Sequence, residues 1–371
     1  MLRKRMFKLR KRASTAVRTG FGLAVAMAVG LMSSTAEASP AVDGTRNVSL
    51  GGVSHSSSFG SNAALANPAM MSFSPVFTVE AMYQLNIQQR TNGLGFVIMD
   101  SLNNPRIGLG LGYLFMRGAP EINYQDSATG ENTKLELSRF GHEAFGALSI
   151  VAVPNWVALG LKPKYQYTSL RYRDPEGLAR NAHEKLNAFG LDTALSLNIA
   201  GFAAISVLGL NVVGNHDPYF TDDREISLEG LAVMEGTIDR GHLSELSDYP
   251  LTLVHGLSVF PLRSPRLSIN FDGTYDFTSF RFEDHTRLTY GGSAEFIAGP
   301  VPLRFGTIWD NRGKGTDDDR IYVAGGIAYA KDARPGGMGV DIGFGFQQQV
   351  AGPMLETILG FNLGLRLHPD L

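Results

Sequence analysis

The chain of 371 residues contains no cysteine, and this absence excludes several kinds of protein. Without thiols there is neither a disulfide framework nor a thiolate metal site, and no cysteine is available to carry an N-terminal lipid. Charge is also scarce, because Asp, Glu, Lys and Arg make up 18% of the residues, against about 25% in an average soluble domain. The formal net charge of −2 gives no support for nucleic-acid binding, and we predict no nucleic-acid partner.

Long uncharged hydrophobic runs are missing after the N-terminus. No window there holds the roughly 18 or more apolar residues that a membrane-spanning helix needs. Glycine, in contrast, is abundant at 43 residues, and aromatic residues make up 10% of the chain. The protein is therefore either soluble and glycine-rich, or it crosses a membrane with strands.

The first 38 residues have the pattern of a secretory signal peptide. A strongly basic start precedes the apolar run 20–32, and Ala36-Glu37-Ala38 then fits the small-x-small cleavage rule. The apolar run is too short to span a bilayer comfortably. We predict cleavage after Ala38 and exclude residues 1–38 from the fold, and a retained amphipathic anchor is the alternative.

Most of the remaining chain alternates apolar and polar residues with a period of two, which indicates β-strands. Leu267, Ile269 and Phe271, for example, share one face, and Ser268 and Asn270 share the other. The pattern predicts fourteen strands, at 76–88, 93–101, 106–117, 139–153, 155–172, 186–199, 201–214, 249–261, 265–280, 285–298, 301–312, 319–331, 337–350 and 354–367.

A soluble sandwich with a dry inner face would give the same alternation. Two features favour a membrane barrel instead. Many predicted strands are about twice the ~5–6 residues usual in soluble proteins. Their apolar faces also carry aromatic residues near the strand ends, as the aromatic girdle of a membrane barrel would. The aromatic residues at these ends include Tyr165, Tyr167, Phe277, Trp309 and Phe346.

The predicted connections alternate in length. Those after even-numbered strands are short, whereas the long ones, 118–138, 173–185, 215–248 and 311–319, all follow odd-numbered strands. Outer-membrane barrels have this asymmetry, with tight periplasmic turns and long outer loops. We therefore expect the outer membrane of a Gram-negative bacterium as the location, with both mature termini in the periplasm.

The stretch Ser49 to Phe73 precedes the first strand and is rich in Ser, Gly and Ala. We interpret residues 39–74 as an N-terminal hatch, or plug, and residues 75–371 as the barrel. The predicted fold class is thus all-β, a transmembrane antiparallel β-barrel of about 14 strands with an N-terminal hatch segment. Charges of both signs are predicted to face the lumen. We interpret them as a lattice of structural ion pairs that also holds the plug, and a selective path for ions is the alternative.

The layout resembles the FadL family of outer-membrane transporters, and PorV-like barrels look similar over the same region. The local match runs from Gly60-Ser61-Asn62-Ala63 to Asn67-Pro68-Ala69. The family usually continues with Gly, where this chain has Met70, and usually has an aromatic residue where this chain has Ala66. The resemblance implies a hatch that plugs the barrel and passive uptake of hydrophobic small molecules such as long-chain fatty acids or aromatic hydrocarbons. Asn67-Pro68-Ala69, which would break a helix or strand, is our candidate for the turn from hatch to barrel.

Gly108, Gly110 and Gly112 alternate along one face of the third strand, outside any strand–turn–helix context that a phosphate loop would need. Such glycines either let another backbone, here the plug, approach closely or let the strand bend. The resemblance favours a bend, because the third strand of FadL-like barrels kinks inward and opens a lateral window. Simple packing space in a glycine-rich barrel is the plainer alternative.

Loop 215–248 combines acidic residues with apolar ones, and over thirty residues is long for a structureless loop. We hypothesise a surface lid whose apolar side chains capture a lipophilic substrate, with a flexible loop screened by lipopolysaccharide as the alternative. The candidate residues are Ile226, Leu228, Leu231 and Met234.

A barrel enzyme is the less favoured alternative, and we predict no enzymatic activity. His142-Glu143 and His216-Asp217 supply base and orienter types, but adjacent residues point apart on a strand and no Gly-x-Ser-x-Gly elbow is present. We predict no catalytic residue and no cofactor. We also predict no metal site, because the acidic run 317–319 does not match a calcium loop. Expected partners are outer-membrane lipid, lipopolysaccharide and a hydrophobic small molecule. Secretion-system subunits would be partners if the barrel instead has the PorV-like role.

Overall fold

The computed structural model describes residues 42–367 except residues 89, 103, 105, 120, 126–131, 174–181, 215–250, 280–285, 312–318, 332–337 and 353–354. Two short helices come first, α1 at Thr45–Ser49 and α2 at Ser61–Ala66, followed by a 3-10 helix at Pro68–Phe73. Among the described residues, no helix is long and apolar enough to cross a membrane.

Fifteen antiparallel strands form a single sheet. They are β1 Phe77–Asn86, β2 Thr91–Asp100, β3 Ile107–Gly118, β4 Glu121–Gln125, β5 Asn132–Val153, β6 Val157–Arg173, β7 Ala182–Ile199, β8 Ala203–Gly214, β9 Thr252–Val259, β10 Leu267–Ser279, β11 Thr286–Ala298, β12 Val301–Asn311, β13 Arg320–Lys331, β14 Met338–Ala351 and β15 Thr357–Leu367.

Fourteen of these strands close into a barrel. Each barrel strand pairs with the next one along the chain, and β1 pairs with β15 to close the ring. The short β4 is not part of the ring, because β3 pairs directly with β5. The predicted 14-stranded antiparallel barrel is therefore confirmed. The remaining strand, β4, pairs with residues 132–136 of β5 and extends that hairpin beyond the barrel wall. The sequence predicts a loop over 118–138 instead, because five residues are too few for an alternating pattern to be recognised.

The burial pattern is the reverse of that of a soluble protein. Outward-facing positions carry large apolar side chains, such as Leu111 at 66% exposure and Phe189 at 75%. Inward-facing positions are polar and fully buried, such as Ser206 and Asn270. A soluble sandwich would bury the apolar face, so this pattern excludes it and leaves a barrel whose apolar outer face meets lipid.

Aromatic side chains lie towards both rims of the outer face. Near the rim with the long loops, the Tyr290 and Trp309 rings stack with centroids 6.2 Å apart. Trp156 and Phe202 lie in short turns at the opposite rim and are about half exposed. The rings of Tyr and Trp favour the membrane–water interface because they combine an apolar body with a polar edge.

The two rims differ in their connections, as predicted. At one rim the turns are short, with residues 154–156 between β5 and β6 and residues 299–300 between β11 and β12. Left-handed backbone at Asn155 and Gly299 closes these turns. The other rim bears the long connection 215–251 between β8 and β9. We call the two ends the short-turn rim and the long-loop rim.

Candidate functional site inside the barrel

Residues 42–74, which we call the hatch segment, lie within the barrel. This segment contacts all fourteen wall strands, which is possible only from the lumen. The wall residues in these contacts, in strand order, are Glu80, Gly93, Gly108, Ser149, Lys162, Ser196, Ser206, Gly256, Asp272, Glu295, Gly306, Gly326, Gly345 and Gly360. The described part of the predicted hatch therefore lies in the lumen and contacts the wall around its whole circumference.

The first anchor of the hatch segment is an ion pair. Arg46 of α1 donates to Glu295 of β11, with Nη2 2.6 Å and Nε 3.1 Å from Oε2. Arg304 of β12 donates to the other carboxylate oxygen at 2.7 Å. Burial lowers the pKa of the Arg46 guanidinium, and the attraction of Glu295 opposes that shift. One buried carboxylate thus joins the hatch segment to two wall strands.

A second anchor lies at His55. Its backbone N–H donates to Oδ2 of Asp272 at 3.0 Å, and its Nδ1 lies 2.8 Å from the same oxygen. Nearby, the Ser293 hydroxyl donates to the Val53 carbonyl. The lumen-facing charges of the wall therefore hold the hatch segment, as the sequence predicted for an ion-pair lattice.

Asn67 forms the third anchor. Its Oδ1 accepts from the Ala69 N–H at 3.1 Å and so caps the 3-10 helix, in which Pro68 takes the first position. Its Nδ2 lies within 3.1 Å of the His55 carbonyl and of the hydroxyls of Ser196 and Ser206. Asn67 is fully buried, so one amide joins two parts of the hatch segment to β7 and β8.

The residues predicted to form the turn from hatch to barrel belong to a helix instead. Asn67-Pro68-Ala69 starts a 3-10 helix that packs against the wall, and β1 begins at Phe77. The prediction failed because an Asn-Pro pair is typical both of a loop and of a capped helix start. Gly160 of β6 makes this packing possible, since a methyl group there would lie 2.8 Å from the Pro68 carbonyl carbon.

The three glycines of β3 have two different surroundings. A methyl group on Gly108 would lie 3.1 Å from Met71 Cβ, and one on Gly110 would lie 3.0 Å from Ala64 Cβ. Gly112 instead faces the ring of Phe145 on the neighbouring strand. β3 pairs with both neighbours without a register shift, so the wall is continuous along this strand and shows no opening there.

Several glycines on the last four strands leave space in which α1 and the residues after it pack against the wall. Gly345 and Gly360 lie against this part of the segment, whereas Gly343 and Gly364 contact wall residues instead. At Gly306 the backbone of Leu50 itself occupies the space that a side chain would need. We did not predict a role for Gly306, although its inward position on a strand was the signal that could have suggested one.

A second polar cluster lies on the long-loop side of the hatch segment. Lys164 and Lys162 lie 2.8 Å and 3.4 Å from Asp192 carboxylate oxygens. Lys162 also donates to the Leu65 carbonyl at 3.0 Å. Asp192 accepts from the Asn211 N–H at 2.8 Å, where β8 bulges against β7. These contacts fix the wall to the hatch segment beside α2.

Cavities remain on both sides of the hatch segment. One of about 340 Å³ lies towards the long loops and is lined by Asp43, His55 and the cluster around Lys162. The other, of about 430 Å³, lies at the short-turn rim and is lined mainly by apolar side chains, including Phe59, Met70 and Phe73. Both cavities have a size that suits small ligands.

The loop candidates Ile226, Leu228, Leu231 and Met234 lie outside the described residues, as do residues 1–38 and the acidic residues 317–318.

Taken together, the closed ring of antiparallel strands and its apolar outer face define a transmembrane β-barrel. The sequence matches no protein-family model and no curated protein. Its structure is similar to a Pseudomonas aeruginosa FadL homologue, with a TM-score of 0.55 and 12% identity over 91% of this chain and 98% of that chain.

Two toluene transporters are similar to the same degree. TbuX of Ralstonia pickettii has a TM-score of 0.54 and 12% identity over 87% of this chain and 97% of its own. TodX of P. putida has a TM-score of 0.54 and 11% identity over 88% and 99%. The barrel of this protein therefore has a FadL-like fold.

Proposed function

We propose that this protein resides in the outer membrane of a Gram-negative bacterium and mediates passive uptake of hydrophobic small molecules, either long-chain fatty acids or aromatic hydrocarbons. The observation that carries the proposal is the hatch segment, which contacts every wall strand and leaves a chamber on each side. The similarity to two toluene transporters supports the hydrophobic class of substrate.

The proposed route has three stages. Outer loops capture the substrate, which enters the chamber on the long-loop side. A shift of the hatch segment then connects this chamber with the one at the short-turn rim. No energy source is required, since a hydrophobic molecule moves down its own concentration gradient once the hatch segment has shifted.

Outer-membrane lipid and lipopolysaccharide would surround the apolar wall. We propose no enzymatic step.

The absence of cysteine allows a direct test of hatch movement, because two introduced thiols can pair only with each other. Cβ of Val48 lies 3.4 Å from where a Cβ on Gly360 would be, close to the ~3.5–4.5 Å of a disulfide. The Val48→Cys/Gly360→Cys double variant, oxidised in the membrane, ties α1 to β15. We expect oxidation to stop uptake of a long-chain fatty acid and of toluene, and reduction to restore both.

The matched control joins two wall strands only. Ile342 and Leu363 are direct partners on the outer face of β14 and β15, and a disulfide between cysteines at these positions leaves the hatch segment free. Uptake that continues in the oxidised Val48–Gly360 variant would refute a route that requires hatch movement. Equal loss in both variants would point to general damage to the barrel.

Two further expectations accompany the proposal. We predict that residues 1–38 are removed on export, so the mature protein should begin at Ser39, as mass analysis of the N-terminus would report.

The alternative role is that of a PorV-like partner of a secretion system. Secretion subunits that co-purify with a barrel inactive in uptake would favour that role.

A further inference from the structure

A groove of about 760 Å³ lies on the outer face of the wall, beside β3. Its floor consists of small outward-facing residues, Ala144 and Gly146 on β5 and Pro163 on β6. A methyl group on Gly146 would have its nearest contact outside its own stretch of chain at 3.9 Å, with the Leu111 side chain, so the space above this glycine is open. β5 pairs with β3 along the whole of β3, and with β6 both before and after Gly146. This outer groove is therefore a depression in a closed wall.

Large apolar side chains form the two sides of the outer groove. Leu111 and Tyr113 of β3 stand exposed on one side, and Phe189 of β7 stands exposed on the other. The Phe189 ring contacts that of Tyr165 on β6, with centroids 5.1 Å apart. β3 and β7 are three strand spacings apart in the wall, which is about 14 Å. The outer groove is consequently wider than a single hydrocarbon chain and can hold several side by side.

A cluster of rings borders the outer groove on the side of the long-loop rim. The rings of Phe140 and His142 meet edge to face with centroids 4.4 Å apart, and Phe115 and Tyr167 pack around them. The Tyr113 hydroxyl forms a hydrogen bond with Nδ1 of His142. Rings that combine an apolar body with a polar tip favour the interface between hydrocarbon and head groups.

The opposite end of the outer groove is aliphatic. Between the groove and the short-turn rim, the outward-facing positions of β3 and β5 are Ile107, Leu109, Leu148 and Ile150. A lipid in the outer groove therefore has its chains towards the middle of the wall and its head towards the long-loop rim.

Two arginines lie at the long-loop rim above the ring cluster. Arg117 is exposed and is the last outward-facing residue of β3, four residues beyond Tyr113 and so about 13 Å further along the strand. Arg90 is also exposed, and its carbonyl accepts from the Ala119 N–H at 3.3 Å, which places it beside the end of β3. A guanidinium binds a phosphate through two parallel hydrogen bonds, so this position suits a phosphorylated head group.

We propose that the outer groove binds the lipid A part of lipopolysaccharide, with acyl chains between β3 and β7 and a phosphate at Arg117. Lipid A combines several acyl chains with phosphate groups, which matches both the width of the groove and the charge above it. Its place in the outer leaflet matches the end of the groove at which the polar groups lie. The inference rests on the proposed outer-membrane location, but it does not depend on uptake of any substrate.

Native mass spectrometry of the purified barrel in a neutral detergent tests this site. The barrel is titrated with bisphosphorylated lipid A, with the same lipid after removal of its phosphates, and with phosphatidylglycerol. We expect a one-to-one adduct with bisphosphorylated lipid A, at an apparent Kd about tenfold or more below those of the other two lipids, because charged hydrogen bonds to phosphate and several chains act together.

Matched variants locate the binding. Arg117→Gln should weaken binding of bisphosphorylated lipid A about three- to tenfold, in line with one charge-assisted hydrogen bond near the surface. Arg266→Gln removes an exposed arginine next to the short-turn rim and should leave it unchanged. Gly146→Leu fills the outer groove and should weaken binding about tenfold, whereas Gly292→Leu, at an outward-facing glycine of β11 on another part of the wall, should not.

A further pair keeps the test decisive if Gly146→Leu does not fold. Phe189→Ala removes one side of the outer groove and should weaken binding, while Phe305→Ala, an exposed phenylalanine of β12, should leave it unchanged.

Three results would overturn the proposal: equal affinity for bisphosphorylated and phosphate-free lipid A, equal effects of Arg117→Gln and Arg266→Gln, or full binding in both Gly146→Leu and Phe189→Ala. Phosphatidylglycerol that binds as tightly as lipid A would assign the groove to a phospholipid and overturn the proposal as well. A barrel that binds lipid A as expected but does not accelerate uptake would contradict the proposed function alone.

Discussion

The buried link between Arg46 and Glu295 leads to a quantitative prediction about how often the hatch segment opens. Arg46→Met keeps the length of the side chain and removes its charge. In the closed state Arg46 donates to Glu295 through two nitrogens, at 2.6 Å and 3.1 Å from Oε2, and the two side chains are 7% and 1% exposed. Opening of the hatch segment breaks this link in the natural protein, but no such link opposes opening in the variant.

The size of the effect follows from what remains after the substitution. Removing one partner of a buried ion pair costs about 3–5 kcal/mol when the other charge is left alone. Here Glu295 keeps Arg304 at 2.7 Å, so its charge stays compensated. The loss is then that of charged hydrogen bonds, each about 1.5–3 kcal/mol. We expect opening to become easier by about 2–3 kcal/mol, which corresponds to a roughly 30- to 150-fold larger open population.

A single thiol can report this population. Ser56 lies in the hatch segment, is fully buried, and its hydroxyl has no hydrogen-bond partner among the described residues, so Ser56→Cys should disturb little. When opening precedes labelling, the maleimide reaction rate of this thiol follows the open population. Arg46→Met should therefore accelerate labelling by the same factor.

The control is Arg287→Met, which breaks a 2.6 Å ion pair with Asp310 between two wall strands and leaves the hatch segment untouched. Labelling in that background should change by less than about twofold, as expected for a site outside the coupled group. Equal acceleration in both variants, or less than about threefold in Arg46→Met, would refute the assignment of Arg46 as an anchor of the hatch segment.

Three further predictions concern the packing of the hatch segment. Asn67→Ala removes an amide that lies within 3.1 Å of three acceptors, and should lower the free energy of unfolding in urea by about 1–3 kcal/mol; an unchanged urea midpoint would contradict its role. Gly306→Ala should displace the hatch segment and raise Ser56→Cys labelling, while Gly292→Ala, whose nearest atoms are 3.8 Å away, should not. Asp192→Asn leaves two buried lysines short of a carboxylate and should destabilise the folded barrel by about 3–5 kcal/mol; a melting temperature equal to that of the natural protein would argue against this network.

The candidate site was predictable only in outline. Gly108 and Gly110 were identified as places where another backbone could approach, and the structure has Met71 and Ala64 there. Gly112 belongs to the same sequence pattern but faces Phe145 instead. Alternation assigns a residue to a face of the wall, but what lies opposite that face depends on how the segment inside is folded.

The sequence by itself determined the barrel. Period-two alternation is a local property of each strand, and the lengths of the connections are set along the chain, so the number of strands and the difference between the two rims followed without coordinates. Only the tertiary structure decided which lumen-facing charges meet. Arg46 and Glu295 are 249 positions apart, and no local pattern relates them. Their pairing depends on the closed barrel, which brings every wall strand to the same segment.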